Sequence, residues 1–403
     1  MRQRTAGLIA LGAGVFLLVF SVLLRFYAAP TLEVLPKDYW THYLATGTGT
    51  ALDAGTGQPV KNLAITQDIT IKGETSPKGA PSNSVVWDYA SELSYDTPDH
   101  QPCGANDATS PFQRPVCPLS WSNERVAFDK KSGKSLAWSG DLVDNGATQK
   151  GGSPVNSIPP HHVGYISKFD FDTPKSAQPL WDDTLANALG ENQPPAEYVG
   201  TQKVSDSKGG NTITAYEYVQ TIGTAEQPVH VYDTTTIPPL LVNSLVPQGT
   251  KVPVYEYSVT TALVDPTSGI PVAGHQHIVL TAGPTDGTEP RYLTLLDVDL
   301  KLDKVQQTTS NDLPQADAAK NPIWVPYTDQ SLRDARAADR ITLVKSTLPL
   351  ISLIAGLVLL ALGIALVVRG EAGAWRGIAG GPVSEADPDA PTAQLPAVGG
   401  EEE

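Results

Sequence analysis

The chain is poor in cysteine, methionine and charge. It holds two cysteines and one methionine in 403 residues, and charged side chains make up only 18%. Two cysteines can supply neither a multi-bridge disulfide framework nor a four-cysteine zinc site. Basic residues are outnumbered, with 28 Lys and Arg against 43 Asp and Glu, for a net charge of −15. No basic stripe exists, so the electrostatic footprint of a nucleic-acid binder is missing. Catalytic signatures are missing too. There is no G-x-S-x-G elbow and no H-E-x-x-H helix, and Gly133-Lys134-Ser135 lacks the upstream glycine of a phosphate-binding loop. Seven histidines lie scattered, and His275 and His277, on one strand face, have no evident third metal ligand. The sequence therefore calls for no cofactor, no metal and no enzyme.

Glycine and proline are plentiful, at 35 and 34 residues. Together with frequent Thr, Val and Tyr they favour short strands joined by many turns over long soluble helices. Several stretches alternate at the strand period of two. Ile65, Gln67, Ile69 and Ile71 share a face, and Leu296, Val298, Leu300 and Leu302 share another opposite Asp297, Asp299 and Lys301. Tyr255, Tyr257, Val259 and Leu263 alternate with Glu256, Ser258 and Thr260, the pattern of a half-buried antiparallel strand. A turn pattern D-x-x-[ST]-G recurs at Asp53–Gly57, Asp129–Gly133 and Asp265–Gly269. Its Asp bonds backbone N–H groups ahead, and its Gly supplies the positive φ that closes a bulged hairpin. The recurrence raises two readings: a duplicated β-unit, or chance similarity of short hairpin turns.

Two long apolar runs stand at the ends. Ala6 to Leu24 and Ser346 to Val368 carry no charge, and each is long enough to cross a bilayer as a helix. Arg25, Lys345 and Arg369 close the runs as snorkelling anchors. A cleaved signal peptide has a shorter apolar core and a small residue before its cleavage site, so the first run reads as a retained anchor. Basic residues flank both sides of the membrane runs, so the positive-inside rule alone does not orient the chain.

These features expect a mainly β ectodomain of antiparallel sheets flanked by two transmembrane helices. The expected layout is a cytoplasmic start over 1–5, a first span over 6–27, β-rich units over 28–190 and 191–326, a juxtamembrane helix over 327–345, a second span over 346–368 and a disordered acidic cytoplasmic tail over 369–403. The juxtamembrane helix has a capping-box-like start at Ser331 and Asp334. The bulk of the chain is expected outside the cytoplasmic membrane. In that oxidising setting Cys103 and Cys117 form a local disulfide worth about 3 kcal/mol of loop entropy, with two free thiols as the alternative.

One segment carries a resemblance. It runs Tyr165-Ile-Ser-Lys-Phe-Asp-Phe-Asp-Thr-Pro-Lys175 and leads to Leu180-Trp-Asp-Asp183. It resembles the aromatic-F-D-T-x-K segment of an actinobacterial membrane-protein family labelled the porin PorA family, through Phe169, Asp170, Phe171, Asp172, Thr173, Lys175, Trp181 and Asp182. The two Asp-to-Gly turns and the terminal spans fit the same pattern. The resemblance implies a membrane protein of the cell envelope and brings no catalytic residues with it. A strand-built pore needs apolar lipid-facing alternation, whereas the outward strand faces here carry Asp, Lys and Thr. Three functions follow in order. The ectodomain binds or hands on an envelope lipid or glycolipid, with Tyr39, Trp40, Phe169, Phe171 and Trp181 as candidate cleft aromatics; it scaffolds other envelope proteins; or it forms part of a channel. In the scaffolding reading Gly7, Gly12 and Gly14 permit close helix packing.

Overall fold

The computed structural model describes residues 2–52, 58–74, 77–95, 117–144, 162–182, 189, 192–234, 252–283, 293–306 and 324–379. The chain divides into two compact units, one of residues 1–28 with 344–403 and one of Ala29–Leu343.

The first unit is a helix pair. Helix α1 spans Arg2–Leu23 and ends in a π-turn over Leu24–Ala28. The last helix, Leu348–Ala379, follows a π-turn over Leu343–Thr347. Both are long and apolar enough to cross a membrane. Their outward faces are apolar, with Leu8, Ile9, Phe16, Ile351, Ile354 and Val358 exposed, as lipid-facing residues must be. The seam between them is made of small residues at seven-residue spacing. Gly7, Gly14 and Ser21 are the buried positions of α1. A Cβ on Gly14 would lie 2.8 Å from the Leu360 backbone nitrogen and 2.9 Å from the Gly356 carbonyl oxygen. A Cβ on Gly363 would lie 2.9 Å from the Gly7 oxygen, and Ser21 Oγ donates to the Pro349 carbonyl at 2.7 Å. The helices are therefore antiparallel, and backbones approach where side chains vanish. Gly12, expected to join this packing, meets nothing within 4 Å. It is off the seven-residue register, so it faces away.

The second unit is a β-sheet with short helices at its ends. After α2 (Ala29–Leu32), the strands are β1 (Trp40–Leu52), β2 (Pro59–Glu74), β3 (Ser84–Tyr95), β4 (Cys117–Asp129), β5 (Ser135–Leu136) and β6 (Leu142–Asp144). They continue as β7 (Glu197–Ser205), β8 (Thr212–Ile222), β9 (Val229–Thr234), β10 (Val252–Val264), β11 (Pro271–Ala282), β12 (Leu293–Gln306) and β13 (Trp324–Pro326). Helix α3 covers Tyr327–Thr342, and the apolar C-terminal helix is α4. All described strands belong to one antiparallel sheet ordered β5-β4-β3-β2-β1-β12-β11-β10-β8-β7. The strands before residue 190 form one half and those after it the other, and β1 with β12 joins them.

The alternation read from sequence sets the inner face. Ala45, Leu63, Ile65, Leu93, Leu296, Val298 and Leu300 form one buried cluster, and Ile71, Val85, Trp87, Val126 and Phe128 a second. On β12 the opposite residues Asp297, Asp299 and Lys301 are exposed. On β10 the polar row faces inward. Glu256 and Ser258 are buried at 1% exposure alongside Val252 and Val254, while Tyr255 and Tyr257 are half-buried. Register decides this, because slipping by one residue would turn Val252, Val254 and Val264 outward as well.

Helix α3 begins four residues before the capping-box-like Ser331. Pro326 closes β13 and the helix begins at Tyr327, leaving Ser331 buried within it. Leu332 and Ala335 pack on Val204, Ala215 and Val272, and in the first turn Tyr327 Oη donates to the Pro271 carbonyl at 3.0 Å.

Candidate functional site

The inner face wraps a cavity. Side chains from eight neighbouring strands line one space of about 260 Å³, including Ser122 and Glu124 of β4, Gln67 of β2, Leu300 of β12, Thr260 of β10 and Gln220 of β8. Strands so far apart in the sheet can face one cavity only if the sheet curls on itself. Its two edges, β5 and β7, do not pair with each other among the described residues.

Residues 162–182 close that gap as a strap. At one end Ser135 of β5 donates its backbone N–H to the Gly164 carbonyl at 2.9 Å and its hydroxyl to the His162 carbonyl at 2.7 Å. At the other end Gln178 and Ala196, just before β7, exchange two backbone bonds of 2.8 Å. The middle docks on the turn between β10 and β11, where Phe169 N–H reaches the Gly269 carbonyl at 2.8 Å and Thr173 N–H the Pro266 carbonyl at 2.8 Å. The strap is the segment Tyr165–Lys175 with Trp181 and Asp182 that the sequence singled out.

Each motif residue has a definite place. Phe169 is buried between the rings of Tyr165 at 5.4 Å and Tyr218 at 5.1 Å. Asp170 accepts from the Tyr165 hydroxyl at 2.5 Å and stands 3.8 Å from Lys134 Nζ. Asp172 takes a φ of +53°, which turns the strap towards the Thr267 carbonyl. Thr173 Oγ1 donates to the Asp170 carbonyl at 2.7 Å, and Lys175 Nζ lies 5.2 Å from the centre of the Tyr216 ring. Trp181 is buried against His162, with ring centres 4.8 Å apart. Asp182 N–H donates to Gln193 Oε1 at 2.7 Å.

The two described Asp-to-Gly turns share one geometry. Gly133 has φ +75° and Gly269 φ +74°, and each donates its N–H to the Asp carbonyl four residues back at 2.9 Å. The Asp129 and Asp265 carboxylates accept from Ser132 and Ser268. Burial opposes ionisation of Asp129, but the N–H groups of Ser132 and Lys131 hold its pKa below the usual carboxylate value. A Cβ on Gly269 would fall 2.2 Å from the Phe169 oxygen, so the strap needs glycine there. The turn at Asp53–Gly57 lies outside the described residues, and so does Cys103. Cys117 opens β4.

Beside the inner cavity lies a larger one of about 620 Å³. The two share Tyr43, Ser167, Pro271 and Tyr327 in their walls, so they adjoin. The larger is bounded by residues 32–43, the strap, and α3, with Tyr39, Trp40, Trp87 and Phe171 among its walls. The five aromatics nominated from sequence thus fall on these two spaces: Tyr39, Trp40 and Phe171 on the larger, Phe169 and Trp181 on the inner. Burial raises the pKa of Tyr39 and Tyr43 well above the ordinary phenol value, and that of Tyr327 to about 12. These hydroxyls stay protonated, and that of Tyr327 donates to the Pro271 carbonyl at 3.0 Å.

Sequence reading missed two charged groups. Lys168 lines the larger cavity, with Nζ 3.7 Å from the centre of the Phe171 ring and 2.8 Å from the Phe169 carbonyl it donates to. Burial pushes its pKa down to about 7, against the opposing pull of Asp170, Asp265 and Glu33. His162 is enclosed, with Nε2 3.0 Å from Glu124 and Nδ1 3.6 Å from Asp141. Burial works to lower its pKa, but the Asp141 and Glu124 carboxylates overcome this and raise it to about 9. Neither group has a sequence signal, since the carboxylates around His162 come from residues 21 and 38 positions away and the setting of Lys168 is the wall of a cavity. His275 and His277 pair with Asp299 and Asp297, each at 3.0 Å, and stay 50% and 36% exposed on the outer face. Among the described residues no cluster of three or more His, Cys, Asp or Glu is placed to hold a metal ion.

Comparison with known proteins adds one match. No curated protein matches the chain. A family model described as Porin PorA matches residues 6–365, which takes in the apolar N-terminal helix, the whole β unit with its strap and most of the C-terminal helix. The chain accordingly belongs to the Porin PorA family, as a two-helix membrane protein with a mainly antiparallel β domain.

Proposed function

We propose that the β unit is the extracytoplasmic binding domain of an envelope protein tethered by its two terminal helices, and that its adjoining cavities take up an amphiphilic lipid or glycolipid. The observation that supports this is the aromatic-walled space of about 620 Å³. It lies within the usual volume range of small-molecule sites and combines apolar walls with a few convergent polar groups. The outer strand faces carry exposed Asp297, Asp299 and Lys301, so the sheet is solvated outside and hollow inside. In this reading both chain termini are cytoplasmic, the bulk lies outside the cytoplasmic membrane, and Cys103 and Cys117 are joined in a disulfide.

Native mass spectrometry of the full chain, released from detergent, tests the reading. The expected result is a bound lipid mass on the wild type and its loss on Phe171→Arg, which drives a charge into the cavity. The unliganded chain should be lighter than the reduced chain by the mass of two hydrogen atoms. A wild type that never carries lipid, even after incubation with envelope lipid extract, overturns the binding proposal. A free-thiol mass overturns the disulfide.

The family name favours a second reading, a channel component. The charged outer strand faces argue against a lipid-embedded barrel, so such a pore would require assembly of several helix pairs. Pure protein that gives discrete conductance steps in a planar bilayer would establish it, and silence across protein concentrations would reject it.

A further inference from the structure

The larger cavity contains a cation in an apolar setting. Lys168 is carried by the strap into a wall it shares with Tyr39, Trp87 and Phe171. Its ammonium has two partners, the Phe169 carbonyl at 2.8 Å and the face of Phe171 at 3.7 Å. Among the described residues no carboxylate comes within ion-pair distance of it. Asp170, the nearest acidic neighbour in sequence, is engaged by the Tyr165 hydroxyl and Lys134. A carbonyl dipole and a ring quadrupole stabilise an ammonium only partly once water is withdrawn.

Asp170, Asp265 and Glu33 act on this ammonium through space, and none of them forms an ion pair with it among the described residues. Asp334 lines the same cavity, where burial raises its pKa and its carboxyl accepts from Gln330 Nε2 at 2.9 Å. Arg340 adds a second cation to the lining, and Asp38 one carboxylate. A cavity whose ammonium makes no ion pair among the described residues, set beside aromatic walls, complements a molecule with one anionic group on an apolar body.

We propose that Lys168 is the specificity residue of the cavity and selects amphiphiles with an anionic headgroup, a carboxylate or a phosphate, over neutral ones of the same chain. This rests on the reading that the cavity binds amphiphiles at all. The proximity of an anion would also raise the lysine pKa from about 7, so binding draws a proton onto the site.

The test is a competition on the full chain. Palmitate, hexadecyl phosphate and hexadecanol are offered together at equal concentration, and bound masses are read by native mass spectrometry at pH 7. The wild type should favour one or both anions over the alcohol by about tenfold or more, the range of a charge-assisted hydrogen bond. Lys168→Gln should bind all three about equally, and Lys168→Arg should keep the anion preference. The ratio of palmitate to hexadecyl phosphate tells which headgroup chemistry fits better. Retained preference in Lys168→Gln overturns the assignment of Lys168 while leaving the cavity reading intact. Binding of none of the three overturns both. Matching thermal midpoints for the variants and the wild type exclude misfolding as the cause.

Discussion

At the residue scale, His162 has the sharpest consequence. It sits fully enclosed between Glu124 on β4 and Asp141 just before β6, while its own carbonyl ties the strap to β5. Its folded pKa of about 9 lies above the ordinary histidine value of 6.5. The protonated ring is therefore favoured in the folded state. The stability this contributes is fully present below pH 6.5, declines as pH rises above it, and is lost once pH passes through 9. The contribution is on the order of 3 kcal/mol. Lys168 works the other way, since its lowered pKa adds stability as pH climbs above 7, so the thermal midpoint of the wild type relative to His162→Gln is the readout, and that difference should fall between pH 6.5 and 9.5. Equal pH slopes in the two proteins would contradict the assignment. Nothing in the sequence marked the role of His162. Glu124 is 38 residues away and meets His162 only because the strap returns to the sheet edge.

At the scale of elements, the helix pair and the strap differ in how they are specified. The seam of α1 follows from spacing: Gly7, Gly14 and Ser21 recur every seventh residue, as do Gly356 and Gly363 on α4. A seven-residue repeat keeps small residues on one stripe of a helix, and in lipid such a stripe lets backbones approach. Gly14→Leu should abolish this contact, because even a Cβ would stand 2.8 Å from Leu360 N. A Ser21→Cys, Pro349→Cys pair should crosslink efficiently in membranes with Gly14 present and poorly in Gly14→Leu. Undiminished crosslinking would mean the seam is not packed as described. The strap has no such periodicity. Its phenylalanines and aspartates read as a motif only by resemblance, and its function as a closure comes from bonds to Ser135, Ala196 and the Asp265–Gly269 turn. On β10 the alternation was legible but its sense was not. Glu256 and Ser258 look like the solvent face, yet they lie inside with Val252 and Val254.

At the scale of the whole molecule, the β unit depends on both halves of the chain. Strands before residue 190 and after it meet through β1 and β12, with nine residue pairs in register from Tyr43–Val305 to Ala51–Leu296. The strap starts from the first half and ends at the edge of the second. Neither half alone can cover its β1 or β12 edge or close its cavity. Heating the full chain should therefore melt the β structure in one cooperative transition. A fragment of residues 28–190 should show no such transition by circular dichroism, and a cooperative melt of that fragment would show the halves to be independent.

The sequence by itself determined the two apolar helices, the β character between them, the Asp-to-Gly turns and the absence of a catalytic signature. These are local properties: a run of uncharged residues, a period of two, a glycine where φ must be positive. Only the tertiary structure decided what those elements enclose. The curl of the sheet, the strap across its open edges, the two adjoining cavities and the ammonium of Lys168 in an aromatic wall all arise from contacts between residues far apart in sequence. Spacing along a chain records which way a side chain points from its own strand. It does not record which distant strand it will face, and the chemistry of this domain lies in that facing.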